Sequence, residues 1–545
     1  MNITQILIDQ ATQRPEAPAI VESVGGGTRT LTFAQLAQSS ARAAALLRAT
    51  GLRKGDRILV FQPMSIELYT ALLAIFRLGL VATILDPSAR RRHIEQCCGI
   101  ARPKAFIGPT RIHILRFLCR GLRRIERHFV TAGWAPRATH WSTLERFEPL
   151  NSITPCDASH DALLTFTSGS TGVPKAAVRS HGFLLAQHNA LKESIELEPG
   201  EVDLPTLPIF VLANLASGVT TIIPHGDLRR PGFIDPKPIL EQLERDRVTR
   251  TVGSPALYAR LLRGALGAGA HAARGKAASK IRSKSGKTSL STLRKLYTGG
   301  APVFPPFLQE LQSALPQSRI VVVYGSTEAE PISHLDWAEA EPSDLSAMFA
   351  GRGLLVGKPV SRISLQIVPN RWGKPLPAMH ACEFDALGLP SECGGEIVVS
   401  GPHVLGGYLN GIGDEESKFR VDGDVWHRTG DAGYLDDKGR LWLLGRAGAV
   451  IRDERGTIYP FAAECAASQL PWIERSALAG RNGERLLAVQ LRPRAPADAA
   501  QRVKETLSWA QLDRIVRLPR IPVDHRHNAK VDYPALKKEL ARHGH

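Results

Sequence analysis

The chain lacks an unbroken membrane-spanning stretch. Its most apolar run, residues 69–85, is interrupted by Arg77 and predicts a buried helix followed by a strand. A secretory leader is missing too: MNITQILIDQATQRPEAPA carries Asp9 and Glu16 and no sustained apolar core, which sets the expectation of a cytoplasmic protein. Cysteine is sparse. Seven thiols, an odd number without paired metal-ligand spacing, suit reduced core residues, and the adjacency of Cys97 and Cys98 disfavours a bridge between them. Acidic residues are outnumbered, 52 against 69 basic ones, for a net charge of +17. Such an excess can attract nucleic acid, anionic lipid or an acidic protein without choosing among them. With 43% hydrophobic and 22% charged residues the chain is not disordered throughout, and 545 residues exceed one ordinary core, so two or more lobes are expected.

Much of the positive charge sits in two places. Residues 264–290 are rich in Gly, Ala, Ser and Lys with no acidic residue, which reads as a flexible surface insertion. Gly267 and Gly269 there follow no strand and make no dinucleotide fingerprint. In 111–128, RIHILRFLCRGLRRIERH, Leu115, Leu118, Leu122 and Ile125 recur at helical spacing, with Arg116, Arg120, Arg123, Arg124 and Arg127 over much of the rest. That pattern predicts an amphipathic basic helix, either solvated and packed on its own domain or docking a membrane surface or acidic partner. Nucleic acid is not the expected partner.

Several segments carry chemistry. TFTSGSTGVPK, 165–175, gathers Thr167, Ser168, Gly169, Ser170, Thr171, Gly172 and Lys175. Glycine lets backbone N–H groups turn toward an anion, hydroxyls add donors and lysine adds charge, so the loop suits polyphosphate. DALLTF before it reads as a strand and HGFLLAQHNAL after it as a helix, giving strand, phosphate loop, helix. The common nucleotide-triphosphatase loop needs Gly-Lys followed by Ser or Thr, whereas Pro174 precedes Lys175 and Ala176 follows it. Taken alone, an ordinary turn remains the alternative. Further on come TGGAP (298–302), YGSTE (324–328) and RTGDAGYLDDKGRLWLLGR (428–446). Alternating helical and strand patterns over the first 330 residues indicate parallel sheet covered by helices, with YGSTE at a strand's carboxyl end, where open α/β sheets place ligands. After Pro359, shorter strands with Gly turns suggest a small β subdomain.

In this order the motifs resemble those of the adenylate-forming superfamily of acyl-CoA synthetases, adenylation domains and luciferases, over nearly the whole chain. The resemblance implies an α/β fold: a large body of several subdomains over 1–446, with parallel sheets and a small β subdomain, plus a compact, mobile α+β lid over 447–545. It implies an AMP-forming ligase that joins a carboxylic acid to the α-phosphate of ATP, with Mg²⁺. Thr167 to Gly172 and Lys175 would hold the β- and γ-phosphates. Thr327 would contact phosphate, Glu328 would hold Mg²⁺ and Tyr324 would stack on adenine. Gly299, Gly300 and Ala301 would lie along the base, Asp431 would take the ribose hydroxyls, and Arg446 would complete the ribose and hinge end. Lys530, closing IPVDHRHNAK, would bridge the substrate carboxylate and α-phosphate; His525 and His527 beside it lack partners at metal-ligand spacing.

Within the superfamily, residues 104–118, 204–224, 252–257 and 523–530 look like bacterial olefin-pathway β-lactone synthetases. That implies a β-hydroxy fatty acid as substrate, closure by its own hydroxyl, and olefin-pathway proteins as partners. Two departures from the acyl-CoA synthetase pattern are compatible with it: Phe210-Val211 stands where many relatives carry Phe-His, and Gly448 stands at a hinge position usually Asp or Lys. A CoA or carrier-protein ligase, or a non-catalytic basic module, are the alternatives. Residues 207–219 are either an acyl-pocket wall or a core helix.

Overall fold

A computed structural model describes residues 2–85, 89–168, 174–229, 231–266, 290–524 and 530–542. The phosphate-loop residues Gly169, Ser170, Thr171 and Gly172, residues 267–289 of the basic insertion, and His525 and His527 lie outside the described residues, while 264–266 end the helix Pro255–Leu266.

Among the described residues the strands form sheets of fourteen, seven, three and two. Six strands of the largest pair in parallel, among them Val202–Pro205, Arg250–Gly253, Lys295–Gly299 and Arg319–Ser326 side by side. Their apolar residues, among them Leu204, Val252, Leu296 and Ile320, are buried, as strands covered on both faces require. The intervening helices Pro208–Ser217 and Pro305–Ala314 each start on proline, whose fixed φ and missing N–H suit a first helical turn. The sheet then turns antiparallel through Ala329–Asp336 and Leu354–Pro359 and continues into Leu441–Arg446, Asp424–Leu435, Gly395–Ser400 and Ser364–Val368. The short strands expected after Pro359 are therefore hydrogen-bonded to the parallel sheet without a break.

The seven-stranded sheet carries Asp161–Ser168 and Pro174–Ser180 at one end. The apolar run beginning at Tyr69 resolves into the buried helix Ile66–Arg77 and the strand Val81–Ile84, as expected. The expected basic helix over 111–128 does not form as one element. Thr110–His113 and Leu115–Leu118 are short turns joined through helical Ile114 (φ −59°, ψ −34°), Arg120–Arg123 is a further turn, and Arg127–Val130 is a parallel strand. The turn Leu115–Leu118 stops at Cys119, which is extended (φ −110°, ψ 117°), and a Cβ added at Gly121 would lie 2.7 Å from the Cys98 side chain. Cys97, Cys98, Cys119, Cys156 and Cys465 are buried thiols, whereas Cys382 and Cys393 are exposed rather than in the core.

After Arg446 the strands Ile473–Arg481, Glu484–Leu491 and Arg514–Arg517 make a separate three-stranded sheet with its own apolar clusters. The helix Pro460–Ser468 docks it to the body: Cys465 joins the main core, and the Trp509 ring covers Gly351. No helix among the described residues is long and apolar enough to cross a membrane.

Candidate active site

The phosphate loop does not launch a helix. Asp161–Ser168 and Pro174–Ser180 are antiparallel, with Thr167 opposite Lys175 and Ser168 opposite Pro174, and the helix begins only at His181. The strands on either side of the loop are thus paired with each other, where strand, loop and helix were expected, because AAVRS after Lys175 continues the ladder. Thr167 is half-buried and Lys175 buried. The Lys175 ammonium donates to Glu416 Oε2 at 2.7 Å and lies 5.6 Å from the Tyr408 ring centroid.

Thr327 and Glu328 occupy a hairpin tip. Ser326 pairs with Ala329, and the Ser326 hydroxyl accepts from the Glu328 and Ala329 amides at 3.2 and 3.3 Å, closing a tight turn. Buried Arg179 ties this tip to the strand pair around the loop, donating to Thr165 Oγ1 and to the Thr327 carbonyl, both at 2.6 Å. A third segment clamps them: Val404 bridges Ala329 and Tyr408 bridges Ala177. The Tyr408 hydroxyl donates to Glu328 Oε1 at 2.7 Å. Burial works against the Glu328 carboxylate, but His427, the Tyr408 hydroxyl and Lys418 more than offset it and hold its pKa below the ordinary value. Burial in turn brings the Lys418 ammonium down to about 8 and the His427 imidazole to about 3. Arg179, Tyr408 and Lys418 escaped sequence reading. Tyr408 follows a Gly-Gly pair in a segment that reads only as a turn.

On the strand that leads into this tip, Tyr324 meets Asp431 and Arg446. Asp431 and Arg446 face one another across paired strands, at 3.2 Å between Oδ1 and Nη1, and the Tyr324 hydroxyl donates to Asp431 Oδ2 at 2.9 Å. Asp431 is first among the causes that raise the Arg446 pKa. An aspartate so held still has acceptor capacity on both oxygens. Gly299, Gly300 and Ala301 lie at the end of the neighbouring strand, where Gly299 pairs with Val323. A Cβ added to Gly299 would fall 2.3 Å from the Val323 carbonyl oxygen, so the neighbouring strand alone requires glycine there.

Lys530 follows in the C-terminal segment. Its amide donates to Asp524 Oδ1 at 2.9 Å, and the Asp524 amide donates to the Lys530 carbonyl at 2.8 Å, pinning the base of the segment. Three residues on, the Tyr533 phenol donates to Glu464 Oε1 at 3.0 Å, and burial and that carboxylate push its pKa up, with smaller effects from the charges of Arg446 and Asp431. Gly448 falls in a single turn, Ala447–Ala449, after Arg446. Asn370 Nδ2 donates to the Ala447 carbonyl at 2.9 Å, and a Cβ on Gly448 would sit 3.0 Å from the Trp372 ring.

The helix Pro208–Ser217 buries Phe210, Val211, Ala213 and Leu215. It is a core helix on that side, yet it also walls an apolar pocket with Leu73, Phe76, Leu184 and His188. Gln187 of the same lining donates to the Glu330 carbonyl at 3.3 Å, so the pocket's polar edge lies two residues from Glu328.

Comparison with known proteins agrees with this arrangement. The AMP-binding enzyme family matches residues 7–409. An olefin β-lactone synthetase of Stenotrophomonas maltophilia (strain K279a) is 32% identical, covering 97% of this chain and 96% of its own length. A namesake from Xanthomonas campestris pv. campestris is 31% identical over the same shares. Among solved structures, the anthranilate CoA ligase AuaEII in complex with anthranoyl-AMP has a TM-score of 0.80 at 17% identity, covering 99% of this chain and 98% of its own. ATP-bound MatB from Rhodopseudomonas palustris has a TM-score of 0.76 at 21% identity, covering 99% of each chain. These likenesses bear out the α/β fold.

Proposed function

Because the chain belongs to the AMP-binding enzyme family and is an adenylate-forming, AMP-producing ligase of carboxylic acids, we propose that its acid is a long-chain β-hydroxy acid, closed to a β-lactone. The observation that carries the reading of the second step is the near full-length similarity to the two olefin β-lactone synthetases. The first step rests on the convergence of the strand pair around the phosphate loop and the Thr327–Glu328 turn with the Asp431–Arg446 pair.

In this reading a substrate carboxylate oxygen attacks the α-phosphorus of ATP, and the bond to the bridging oxygen of pyrophosphate breaks. Thr167, Ser168, Gly169, Ser170, Thr171, Gly172 and Lys175 hold the β- and γ-phosphates; Lys175 exchanges Glu416 for phosphate as ATP enters. Asp431 takes the ribose hydroxyls with the lone pairs that Tyr324 and Arg446 leave, and Gly299 to Ala301 flank the adenine. Glu328 fits Mg²⁺, because an ionised carboxylate with one oxygen engaged by Tyr408 offers its other oxygen, and this ion is commonly held by one or two carboxylates plus substrate phosphates. Bound there, the ion would neutralise phosphate charge. Thr327 contacts phosphate from the same turn. Lys530, on a lid spanning 447–545, bridges carboxylate and α-phosphate where negative charge accumulates. The acyl chain lies in the pocket walled by Pro208–Ser217.

The β-hydroxyl oxygen then attacks the acyl carbon and gives its proton to water, the bond from that carbon to the oxygen bridging it to phosphorus breaks, and AMP leaves with the bridging oxygen while the carbonyl oxygen stays in the lactone. Tethering replaces an encounter with a second substrate, so orientation does the work of concentration. The test is mass spectrometry of products from a long-chain β-hydroxy acid with ATP and Mg²⁺, with and without CoA. AMP, pyrophosphate and a lactone one water lighter than the acid are expected without CoA; a thioester as sole product, formed only with CoA, overturns the lactone reading.

A further inference from the structure

Of nine large apolar side chains exposed among the described residues, four fall within 21 consecutive positions: Ile114, Phe117, Leu118 and Trp134. Scattered singly, exposed apolar residues need no explanation, but these are juxtaposed. Ile114, Phe117 and Leu118 stand at i, i+3 and i+4, and the Phe117 amide donates to the Ile114 carbonyl at 3.1 Å, so the three share one face of a helical turn. The Trp134 loop is fastened alongside: Thr110 Oγ1 donates to the Trp134 carbonyl at 2.9 Å and Arg116 to the Pro136 carbonyl at 3.1 Å. Phe117 is 65% and Trp134 73% exposed, far more than packing on their own domain would leave.

The charge around this apolar group is mainly positive, and the one carboxylate within 110–137, Glu126, is paired with Arg127 at 2.8 Å. Residues 111–125 hold five arginines and no acid, and Arg111, Arg120, Arg123 and Arg124 are exposed. The nearby carboxylate of Glu95 is spent on the Arg120 and Gly121 amides. Nucleic acid would pair with the arginines but leave Ile114, Phe117 and Leu118 in water. A lipid interface satisfies both, taking the guanidinium groups at its phosphates, Trp134 at headgroup depth and the aliphatic and phenyl groups at the acyl boundary.

We propose that the surface formed by residues 110–137 docks the enzyme on anionic lipid bilayers. Docking through this surface is independent of which acid the enzyme activates. The test is flotation of the full-length protein with vesicles of phosphatidylcholine alone or mixed with phosphatidylglycerol, at low and high salt. Expected is partition onto the anionic vesicles that weakens with salt. It should fall about tenfold or more in Arg120→Glu/Arg123→Glu and in Phe117→Ser/Leu118→Ser/Trp134→Ser. ATP–pyrophosphate exchange with a soluble acid should stay at the wild-type rate in both, which also reports folding. Equal partition onto neutral and anionic vesicles, or partition untouched by both variants, overturns the proposal. So does retention on single-stranded RNA without vesicle binding, which would transfer the surface to nucleic acid.

Discussion

Glu328, proposed above to hold Mg²⁺, depends on neighbours that would contribute no chemistry themselves. Its carboxylate is oriented by the Tyr408 hydroxyl, and Tyr408 is itself held by its amide's 2.8 Å bond to Asp414 Oδ1. Tyr408→Phe removes a hydrogen bond to a charged group, a loss of roughly 1.5–3 kcal/mol that should lower ATP–pyrophosphate exchange about tenfold or more and raise the Mg²⁺ concentration needed for half-maximal rate. An unchanged Mg²⁺ dependence would remove Tyr408 from that role. Lys530→Ala should behave differently. If the ammonium acts where charge builds, acid-dependent pyrophosphate release falls roughly 10²–10³-fold while ATP affinity, measured by calorimetric titration, is retained. Near-normal release from this variant would sink the assignment of Lys530.

Among elements, the turn Ala447–Ala449 has the most to do for its size. It joins a strand end carrying Arg446 to the segment carrying Lys530, and Asn370 and Trp372 hold it in one arrangement. Proline at Gly448 would remove an N–H, fix φ and push ring atoms into the space beside Trp372. We expect Gly448→Pro to bind ATP normally, because the nucleotide residues of the body are untouched, while turnover falls by roughly 10²-fold through misplacement of Lys530. Wild-type turnover together with wild-type amide exchange over residues 447–542 would show that no rearrangement at this turn is needed.

The whole molecule contains more than one core. The apolar clusters around Leu478 and Leu487 and around Leu536 and Leu540 are separate from the main cluster, which reaches the C-terminal segment through Ala447 and Cys465. Scanning calorimetry should therefore reveal more than one transition, and a single transition with equal calorimetric and van't Hoff enthalpies would contradict this. One group should mark the C-terminal transition. Buried Glu464 accepts from the Leu478 amide at 3.1 Å and the Tyr533 hydroxyl at 3.0 Å, and burial pushes its carboxyl up to about 7 from 4.5. Between those values the native state holds a proton that the unfolded chain has released, so stability falls as pH rises from 4.5 to about 7 and then levels off. The change is on the order of 3 kcal/mol. Glu464→Gln should abolish that slope in one transition and leave the other unmoved.

Order and identity of the motifs were legible in the chain itself, since each of YGSTE, RTGD and the Thr/Ser/Gly run depends on local chemistry: a tight turn, a strand end, backbone donors. The parallel sheet was legible too, because strands covered on both faces write continuous apolar runs between helical periods. Only tertiary structure determined that AAVRS pairs with the strand before the Thr/Ser/Gly run, that Arg179 and Tyr408 tie this strand pair to the Thr327–Glu328 turn, and that Val323 forbids a side chain at Gly299. Those contacts join residues far apart in sequence, and no local periodicity records them. The basic segment shows the same division. Its spacing specified one helix, but the backbone is extended at Cys119, with Cys98 close to Gly121, so the helix ends there, and Ile114, Phe117 and Leu118 before the break are exposed, as is Trp134.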